Sequence, residues 1–259
     1  MTTRLRKAER QDRIVALLRA NPMVRIGALA REFAVSTETV RRDLDELSRA
    51  GAVSRTYGGA SRTTVGHEAA IGERLHERPG EREAIARRAA ALAGPAAVVM
   101  IDGGSTTIHL ARALAADDRG LTILTNSLGV ATTAGANPAV RVVLCPGDYN
   151  RHEGIVTGAE TLAFLDRFHG DIAFIGAGGL TESGVSEVDP GAAWVKRRMI
   201  ARAKRRVLLL DSSKFDVVRY ERVCAIGEID DLVTERPPPA RLAAAARRAG
   251  VAVVLAEPA

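Results

Sequence analysis

The alternation of apolar runs with alanine-rich stretches after residue 80 restricts the fold more than any other feature of this sequence. Each run is apolar throughout, which is typical of strands that are covered on both faces. Strands separated by helical stretches predict a mostly parallel sheet with helices on both sides, an α/β fold. The predicted strands are 97–102, 121–125, 140–145, 172–176, 206–211, 223–227 and 251–255.

The charge of the chain is concentrated near its start. Residues 1–65 contain 13 Lys and Arg against 7 Asp and Glu, whereas the rest contains 24 of each kind. The whole net charge of +6 therefore lies in the first quarter of the chain. A general enrichment in Arg would spread the charge evenly and does not explain this asymmetry. A basic region joined to a neutral one is typical of proteins that bind a polyanion such as DNA.

The first 60 residues have the pattern of three short helices followed by a hairpin. Apolar residues at helical spacing predict helices over 9–20 and 26–33. Ser36 is a natural N-cap, because its hydroxyl can accept a hydrogen bond from the first turn, and it predicts a third helix that begins at Thr37. Two helices around a tight turn, with polar and basic residues starting the second, are typical of a helix-turn-helix that enters the major groove of DNA.

Candidate DNA contacts lie at the start of the third helix and in the hairpin. Thr37, Thr39 and Arg41 are placed to reach base edges, and Arg42 is placed to contact a phosphate. The hairpin over 52–60 carries an Arg and a Gly-Gly tip, as a wing along the DNA backbone requires. Tyr57 either contacts DNA or packs inside the wing, and both interpretations stay open. The predicted DNA-binding residues are Ser36, Thr37, Thr39, Arg41, Arg42, Arg55 and Tyr57.

The sequence predicts two domains joined by a linker. A winged helix-turn-helix is expected over 1–60, a polar linker over 61–80 and an α/β domain over 81–259. No apolar run approaches the roughly 18 residues of a membrane span, and the polar, basic start is not typical of a secretory signal. Cys145 and Cys224 lie in apolar runs, which predicts two reduced core thiols. We therefore expect a cytoplasmic protein with no membrane partner.

Glycines, hydroxyl side chains and a lysine follow four of the predicted strands. In an open parallel sheet, ligands bind beyond the carboxyl ends of the strands. Glycines allow the backbone to approach a ligand, and Ser or Thr hydroxyls at a helix start bind anions together with the free N–H groups. This edge is therefore predicted to bind a small phosphorylated, polyhydroxylated ligand. The residues are Asp102, Gly103, Gly104, Ser105, Thr106, Thr107, Thr125, Asn126, Ser127, Gly176, Gly178 and Lys214.

Several segments resemble the DeoR family of bacterial transcription regulators. FAVSTETVRRDL at 33–44 resembles the recognition segment of the family, and RTYGGA at 55–60 resembles its wing, with Tyr57 in place of the more usual His. The sensor domain of the family is similar to DGGSTT at 102–107, TNS at 125–127 and DSSKF at 211–215. KRRMI at 196–200 resembles its lysine-containing helix. The resemblance covers nearly the whole chain.

The resemblance implies a sensor domain with a fold similar to that of ribose-5-phosphate isomerase. It also implies roles for individual residues: Asp102 contacts sugar hydroxyls, Ser105 to Thr107 hold the phosphate, and Lys214 pairs with the anionic ligand. Lys196 is also expected to bind the effector, because it lies in the segment that resembles the lysine-containing helix of the family. One departure is PGD at 146–148, where the family often has Gly-Gly, and it adds the carboxylate of Asp148.

Together these features predict a DNA-binding transcription regulator, a repressor by family resemblance, that is controlled by a phosphorylated sugar. Because one head offers few base contacts, we expect a homo-oligomer, dimer or tetramer, that reads repeated half-sites in a double-stranded operator. The alternative is a sugar-phosphate isomerase with an accessory DNA-binding head. Its candidate acid–base groups are Asp102, Glu187, Asp189 and Lys214.

Other function classes lack their signatures. No Gly-x-x-x-x-Gly-Lys-Ser/Thr segment is present, which disfavours a nucleotide-hydrolysing enzyme. The five His residues are scattered and have no metal-ligand spacing. We therefore predict no cofactor, no metal site and no catalytic residue, and we do not expect an enzyme.

Overall fold

The structure is a computed structural model that describes residues 6–20, 23–49, 53–56, 59–62, 66 and 68–257. The chain divides into two compact units, Met1–Ala69 and Ala70–Ala259. The predicted linker over 61–80 is not one irregular segment, because it contains the end of a strand, one short helix and the start of a longer helix. Pro79 occupies the first turn of that longer helix, where the missing N–H of proline costs nothing. The domain limits at 60 and 80 stay predictions.

The first unit has three helices and a small antiparallel sheet. The predicted helices are confirmed, and one face of each packs into a common core. Ile14, Leu29, Val40 and Leu44 are at most 1% exposed in that core. The elements are α1 (Lys7–Ala20), β1 (Met23–Arg25), α2 (Ile26–Glu32), α3 (Thr37–Arg49), β2 (Val53–Thr56) and β3 (Gly59–Arg62).

The predicted hairpin is present as β2 and β3, which pair antiparallel with Thr56 opposite Gly59. The sequence did not predict β1, which pairs with β3 and makes the wing a three-stranded sheet. Gly59 is required there, because a Cβ atom would lie 2.1 Å from the backbone oxygen of Val24. Tyr57, at the tip of the predicted wing, lies outside the described residues.

The second unit alternates helices and strands. Its first part contains α4 (Ile71–Arg74), α5 (Pro79–Ala90), β4 (Val98–Ile101), α6 (Ser105–Ala115), β5 (Thr122–Thr125), α7 (Leu128–Ala134), β6 (Arg141–Leu144), β7 (Asp148–Asn150), β8 (Ile155–Thr157) and α8 (Ala159–Leu165). Its second part contains β9 (Gly170–Ile175), β10 (Gly179–Thr181), β11 (Gly184–Glu187), α9 (Pro190–Arg202), β12 (Ala203–Leu209), β13 (Glu221–Cys224), β14 (Asp231–Thr234), α10 (Ala240–Arg248) and β15 (Ala252–Leu255).

Seven strands of this unit form a parallel sheet in the order β15-β14-β12-β9-β4-β5-β6, as predicted for the fold class. Successive residues of β4 point to opposite faces, so Val99 and Ile101 pack against α5 and α6 while Met100 packs against α9. Both faces are therefore buried, which explains why the strands are apolar throughout. No helix in the described part of the chain has the length and apolarity needed to cross a bilayer.

One predicted strand of the parallel sheet was wrong. The run over 223–227 begins instead in β13, which pairs antiparallel with β11 in a separate three-stranded sheet, and it ends in a 3-10 turn, Ile226–Glu228. Its predicted place is taken by β14, all four residues of which are buried. We did not predict β14 from the sequence, because it begins with the charged residue Asp231. An ion pair with Arg205 neutralises this charge and allows Asp231 to be buried.

The two cysteines are free and buried, as the sequence predicted. Burial raises the pKa of both the Cys145 and the Cys224 thiol to about 12. Both thiols are therefore protonated at neutral pH and are poor nucleophiles.

Candidate functional site

The strands β12, β9, β4 and β5 are neighbours in the parallel sheet, so the segments that follow them meet at one edge. Asp102 follows β4, Asn126 follows β5, Gly176 follows β9 and Lys214 follows β12. The structure thus brings together the loops that were singled out from the sequence. The binding role of their residues stays a prediction.

A buried cluster of three charged side chains lies at the centre of this edge. Asp102 is 1% exposed and accepts hydrogen bonds from the Gly176 N–H at 3.1 and 3.2 Å. Lys196, from α9, forms an ion pair with Asp102, and its Nζ lies 3.3 Å from Oε2 of Glu187. Glu187 was considered from the sequence only as an acid–base group for the isomerase alternative, since nothing in its local sequence connects it to Lys196.

The cluster keeps Lys196 charged. Burial lowers the pKa of Lys196, but the carboxylates of Asp102 and Glu187 outweigh burial, and the pKa lies above its ordinary value. An ammonium between two carboxylates offers hydrogen-bonding groups of both kinds to a polyhydroxylated ligand. Among the described residues, no group of three His, Cys, Asp or Glu side chains is arranged to hold a metal ion.

The start of α6 has the features of an anion site. Ser105 and Thr106 lie in its first turn, and their hydroxyls make no hydrogen bond within the described part of the chain. Thr107 differs, because its hydroxyl donates to the carbonyl of Gly104 at 3.0 Å and stabilises the turn. A helix start with free N–H groups and two available hydroxyls is well suited to a phosphate.

The segment after β5 is held mostly by its own hydrogen bonds. The Thr125 hydroxyl accepts from the Ser127 N–H at 3.0 Å, and the Ser127 hydroxyl caps α7 by accepting from Val130 at 3.3 Å. The Asn126 side-chain amide donates to the carbonyl of Val156 at 3.0 Å. Its Oδ1 atom is buried and has no hydrogen-bond partner in the described residues, so it remains available to accept from a ligand hydroxyl.

The glycines of the site differ in what they leave room for. No heavy atom lies within 4 Å of the position that a Cβ of Gly176 would take, so there is open space beside this glycine, whose N–H donates to Asp102. A Cβ on Gly103 would lie 2.0 Å from Cγ2 of Ile155, so this glycine allows two loops to approach. A Cβ on Gly178 would lie 2.8 Å from Cγ of Arg219, whose Nε donates to the Gly178 carbonyl. Gly178 therefore accommodates the buried Arg219 side chain.

Lys214 lies in a short 3-10 turn, Ser212–Lys214, and is half-buried. Burial tends to raise the pKa of the neighbouring Asp211. The charges of Lys214 and Arg82, the hydrogen bond from the Ser213 hydroxyl and the charge of Arg78 outweigh burial and hold this pKa below its ordinary value. The turn that contains Lys214 begins directly after Asp211, which two arginines, Arg78 and Arg82, also approach.

Three arginines at this edge were missed by sequence reasoning. Arg74 lies in α4, and Arg82 lies in α5 with an Nε 3.5 Å from Asp211. Arg78 lies between the two helices, with one Nη 3.1 Å from Glu235. The three arginines are four residues apart in the sequence. The whole chain contains 33 Arg, however, so this spacing did not stand out as a signal.

The first unit presents the predicted DNA-contacting residues at the start of α3. Ser36 caps the helix, since its hydroxyl accepts from the Thr39 N–H at 3.1 Å and pairs with the Thr39 hydroxyl. Arg41 and Arg42 have side chains that are 55% and 77% exposed, and each approaches Glu38. Thr37 is also exposed, whereas Thr39 is half-buried. The backbone of Arg55 lies in β2, but its side chain, like Tyr57, is outside the described residues.

A buried ion pair fixes α3 against α1. The Arg10 guanidinium donates to both carboxylate oxygens of Asp43, and the two side chains are 9% and 2% exposed. At the exposed rim, Glu46 accepts from Lys7 at 2.6 Å and from Gln11 at 2.8 Å. These contacts set the direction in which the Arg41 face of α3 points.

Comparison with known families gives matches in both units. The model of the DeoR-like helix-turn-helix domain matches residues 10–65. The model of the DeoR C terminal sensor domain matches residues 77–236. The two matches cover the helix-turn-helix and the loops that follow β4, β5, β9 and β12.

Individual proteins are similar over nearly the full length. The glycerol-3-phosphate regulon repressor of Escherichia coli (strain K12) is 30% identical over 236 residues, 91% of this chain and 93% of the relative. The HTH-type transcriptional repressor CsqR of the same strain is 30% identical over 254 residues, 98% and 97% of the two chains. Among solved structures, ribose 5-phosphate isomerase A from Methanocaldococcus jannaschii overlaps 52% of this chain and 53% of that chain, with a TM-score of 0.40 and 21% identity.

Proposed function

This chain belongs to the DeoR family of DNA-binding transcription regulators, and we propose that a phosphorylated sugar controls its binding to an operator. The single observation that carries the proposal is the sheet edge where the buried Asp102–Lys196 pair lies beside Gly176, which has open space at its Cβ position. The name of the E. coli glycerol-3-phosphate regulon repressor supports a small phosphate ester as the ligand class. Genes of carbohydrate metabolism are the proposed targets, and repression is the proposed mode.

Each part of the ligand has a suitable partner at this edge. The N–H groups and the Ser105 and Thr106 hydroxyls at the start of α6 hold the phosphate. Asp102, Lys196 and Asn126 bind the sugar hydroxyls, because they combine acceptors and a donor in a buried setting. Lys214 adds a positive charge for the anion. Effector binding then shifts the population between states that do and do not fit the operator.

The isomerase alternative is not favoured. The two relatives described above, which are similar over nearly their full length, are named as repressors. Asp189 has a structural role, because its carboxylate caps α9 by accepting from Ala192 at 2.7 Å and also accepts from Asn150 at 3.1 Å. The Asp102 carboxylate is engaged by Lys196 and the Gly176 N–H. We therefore propose a regulator without catalytic activity, located in the cytoplasm where the operator is.

We further propose that the chain acts as a homo-oligomer. One helix-turn-helix presents few base contacts, and symmetric half-sites read by two or more heads supply the affinity that a single head lacks. Sedimentation of the full chain with a duplex that carries one or two half-sites measures this directly. Equal affinity for both duplexes would contradict the proposal.

Replacing Arg41 with alanine is expected to weaken binding to the operator by about 1–3 kcal/mol and to relax the choice of one base pair. The operator is first selected from a random duplex library with the wild-type chain, and affinities are then measured by fluorescence anisotropy. Arg247→Ala is the matched control, since it removes the same charge from an exposed position on α10 of the other unit. Wild-type affinity and selectivity in Arg41→Ala would show that α3 does not read the bases.

A further inference from the structure

The short helix α4 is held on the turn between β7 and β8. The Ile71 N–H donates to the carbonyl of His152 at 2.9 Å. Arg74 forms an ion pair with Glu153, and the two side chains are only 10% and 14% exposed. Because Ile71 is the second residue after the boundary between the two units, these contacts hold the point where the chain enters the second unit.

The same turn is attached to the proposed ligand site on its other side. The Leu128 N–H donates to the carbonyl of Gly154 at 3.1 Å, and the Val156 N–H donates to the carbonyl of Asn126 at 2.7 Å. Ile155 lies against Gly103, where a Cβ atom would collide with it. The β7–β8 turn therefore contacts both α4 and the loops after β4 and β5.

Arg74 is also within electrostatic range of the ligand site. Burial raises the pKa of Asp102, and the positive charges of Lys196 and, at longer range, Arg74 oppose this rise. The backbone carbonyl of Arg74 accepts a hydrogen bond from Arg82, which in turn lies beside Asp211. Arg74 is thus paired with the partly buried Glu153, in the turn that contacts the loops where an anionic ligand is proposed to bind.

We propose that Arg74 has two alternative partners, Glu153 in the ligand-free protein and the anionic group of the effector in the complex. The exchange releases α4 from the β7–β8 turn and loosens the segment that joins the DNA-binding unit to the sensor. This rests on the proposed function, because it requires an anionic effector at the sheet edge. A ligand shifts such an equilibrium only through its different affinity for the two states, and the second ion pair of Arg74 supplies that difference.

Hydrogen exchange of the full chain tests the proposal. Ribose 5-phosphate, glycerol 3-phosphate and inorganic phosphate are the probes, and a rise in Tm reports whether each one binds. With a probe that binds, exchange of the amides over 71–75 is expected to speed up by roughly tenfold, because the free energy of local opening sets the rate. In Glu153→Gln this segment should exchange fast without any probe, and binding should add little.

The matched control is Asp166→Asn, which removes the carboxylate from the exposed Arg198–Asp166 ion pair of the same unit. It is expected to behave like the wild type. If Glu153→Gln does not fold, exchange over 71–75 in the wild type with and without a probe still tests the proposal. A probe that raises Tm but leaves exchange over 71–75 unchanged, or slows it, would overturn the exchange of partners and leave the proposed function intact. No rise in Tm with any phosphate ester would overturn both.

Discussion

Replacing Lys196 with methionine is expected to lower the free energy of unfolding of the second unit by about 3–5 kcal/mol at neutral pH. Methionine has a similar volume, so the loss comes from charge and not from a cavity. Without the ammonium, the buried Asp102 carboxylate loses the ion pair that offsets its desolvation, and Glu187 loses one of its contacts. Urea denaturation followed by circular dichroism measures the change.

The loss in Lys196→Met should shrink as the pH falls. Burial already raises the pKa of Asp102, and removal of Lys196 takes away the charge that most opposes this rise. A carboxyl whose pKa is higher in the folded than in the unfolded state stabilises the fold on protonation, so stability recovers as the pH falls through the folded pKa. Lys204→Met, which breaks an exposed pair with Asp171, is the control and should change stability little. An equal, pH-independent loss in both variants would contradict the proposed role of the buried charge.

Replacing Asp43 with alanine is expected to destabilise the first unit by about 3–5 kcal/mol, because the buried Arg10 guanidinium loses the carboxylate that accepts its hydrogen bonds. A domain of this size has a small net stability, so the change unfolds much of the DNA-binding unit. Hydrogen exchange over α1 and α3, together with DNA affinity, measures the effect. DNA binding should be lost while Tm shifts caused by sugar phosphates persist.

The control for this variant is Asp12→Ala, which removes a carboxylate from the exposed face of α1. It should leave exchange over the core of the first unit close to that of the wild type. If the amides of α3 exchanged as slowly in Asp43→Ala as in Asp12→Ala, the Arg10–Asp43 pair would not be what orients this helix.

Features with local causes could be predicted from the sequence. Ser36 caps α3 as expected, because the cap depends only on the first turn of that helix. The loops after β4, β5, β9 and β12 meet at one edge, because parallel strands place their carboxyl ends together. Asp102 and Lys214 were found by this rule, since Asp102 directly follows β4 and Lys214 lies in the first turn after β12.

Features with long-range causes could not be predicted in this way. Glu187 belongs to the site only because Lys196, from another helix, contacts it. Arg74 and its partner Glu153 lie far apart in the chain, and nothing near either residue indicates the pair. Asp231 made β14 look polar, although an ion pair allows this residue to be buried. In each case a charge that appears exposed in the sequence is neutralised by a distant residue.

The most direct test of the account is the thermal stability of the full chain with matched pairs of phosphorylated and free sugars. We expect one class of phosphorylated sugar to raise Tm, since a ligand at about 100 times its Kd adds about 2.7 kcal/mol of stability. The free sugar should have no effect at the same concentration. Lys214→Ala should lose the response, whereas Lys204→Ala, at an exposed site, should keep it. If no phosphorylated sugar raised Tm, or if Lys214→Ala responded like the wild type, the sheet edge would not be the effector site described here.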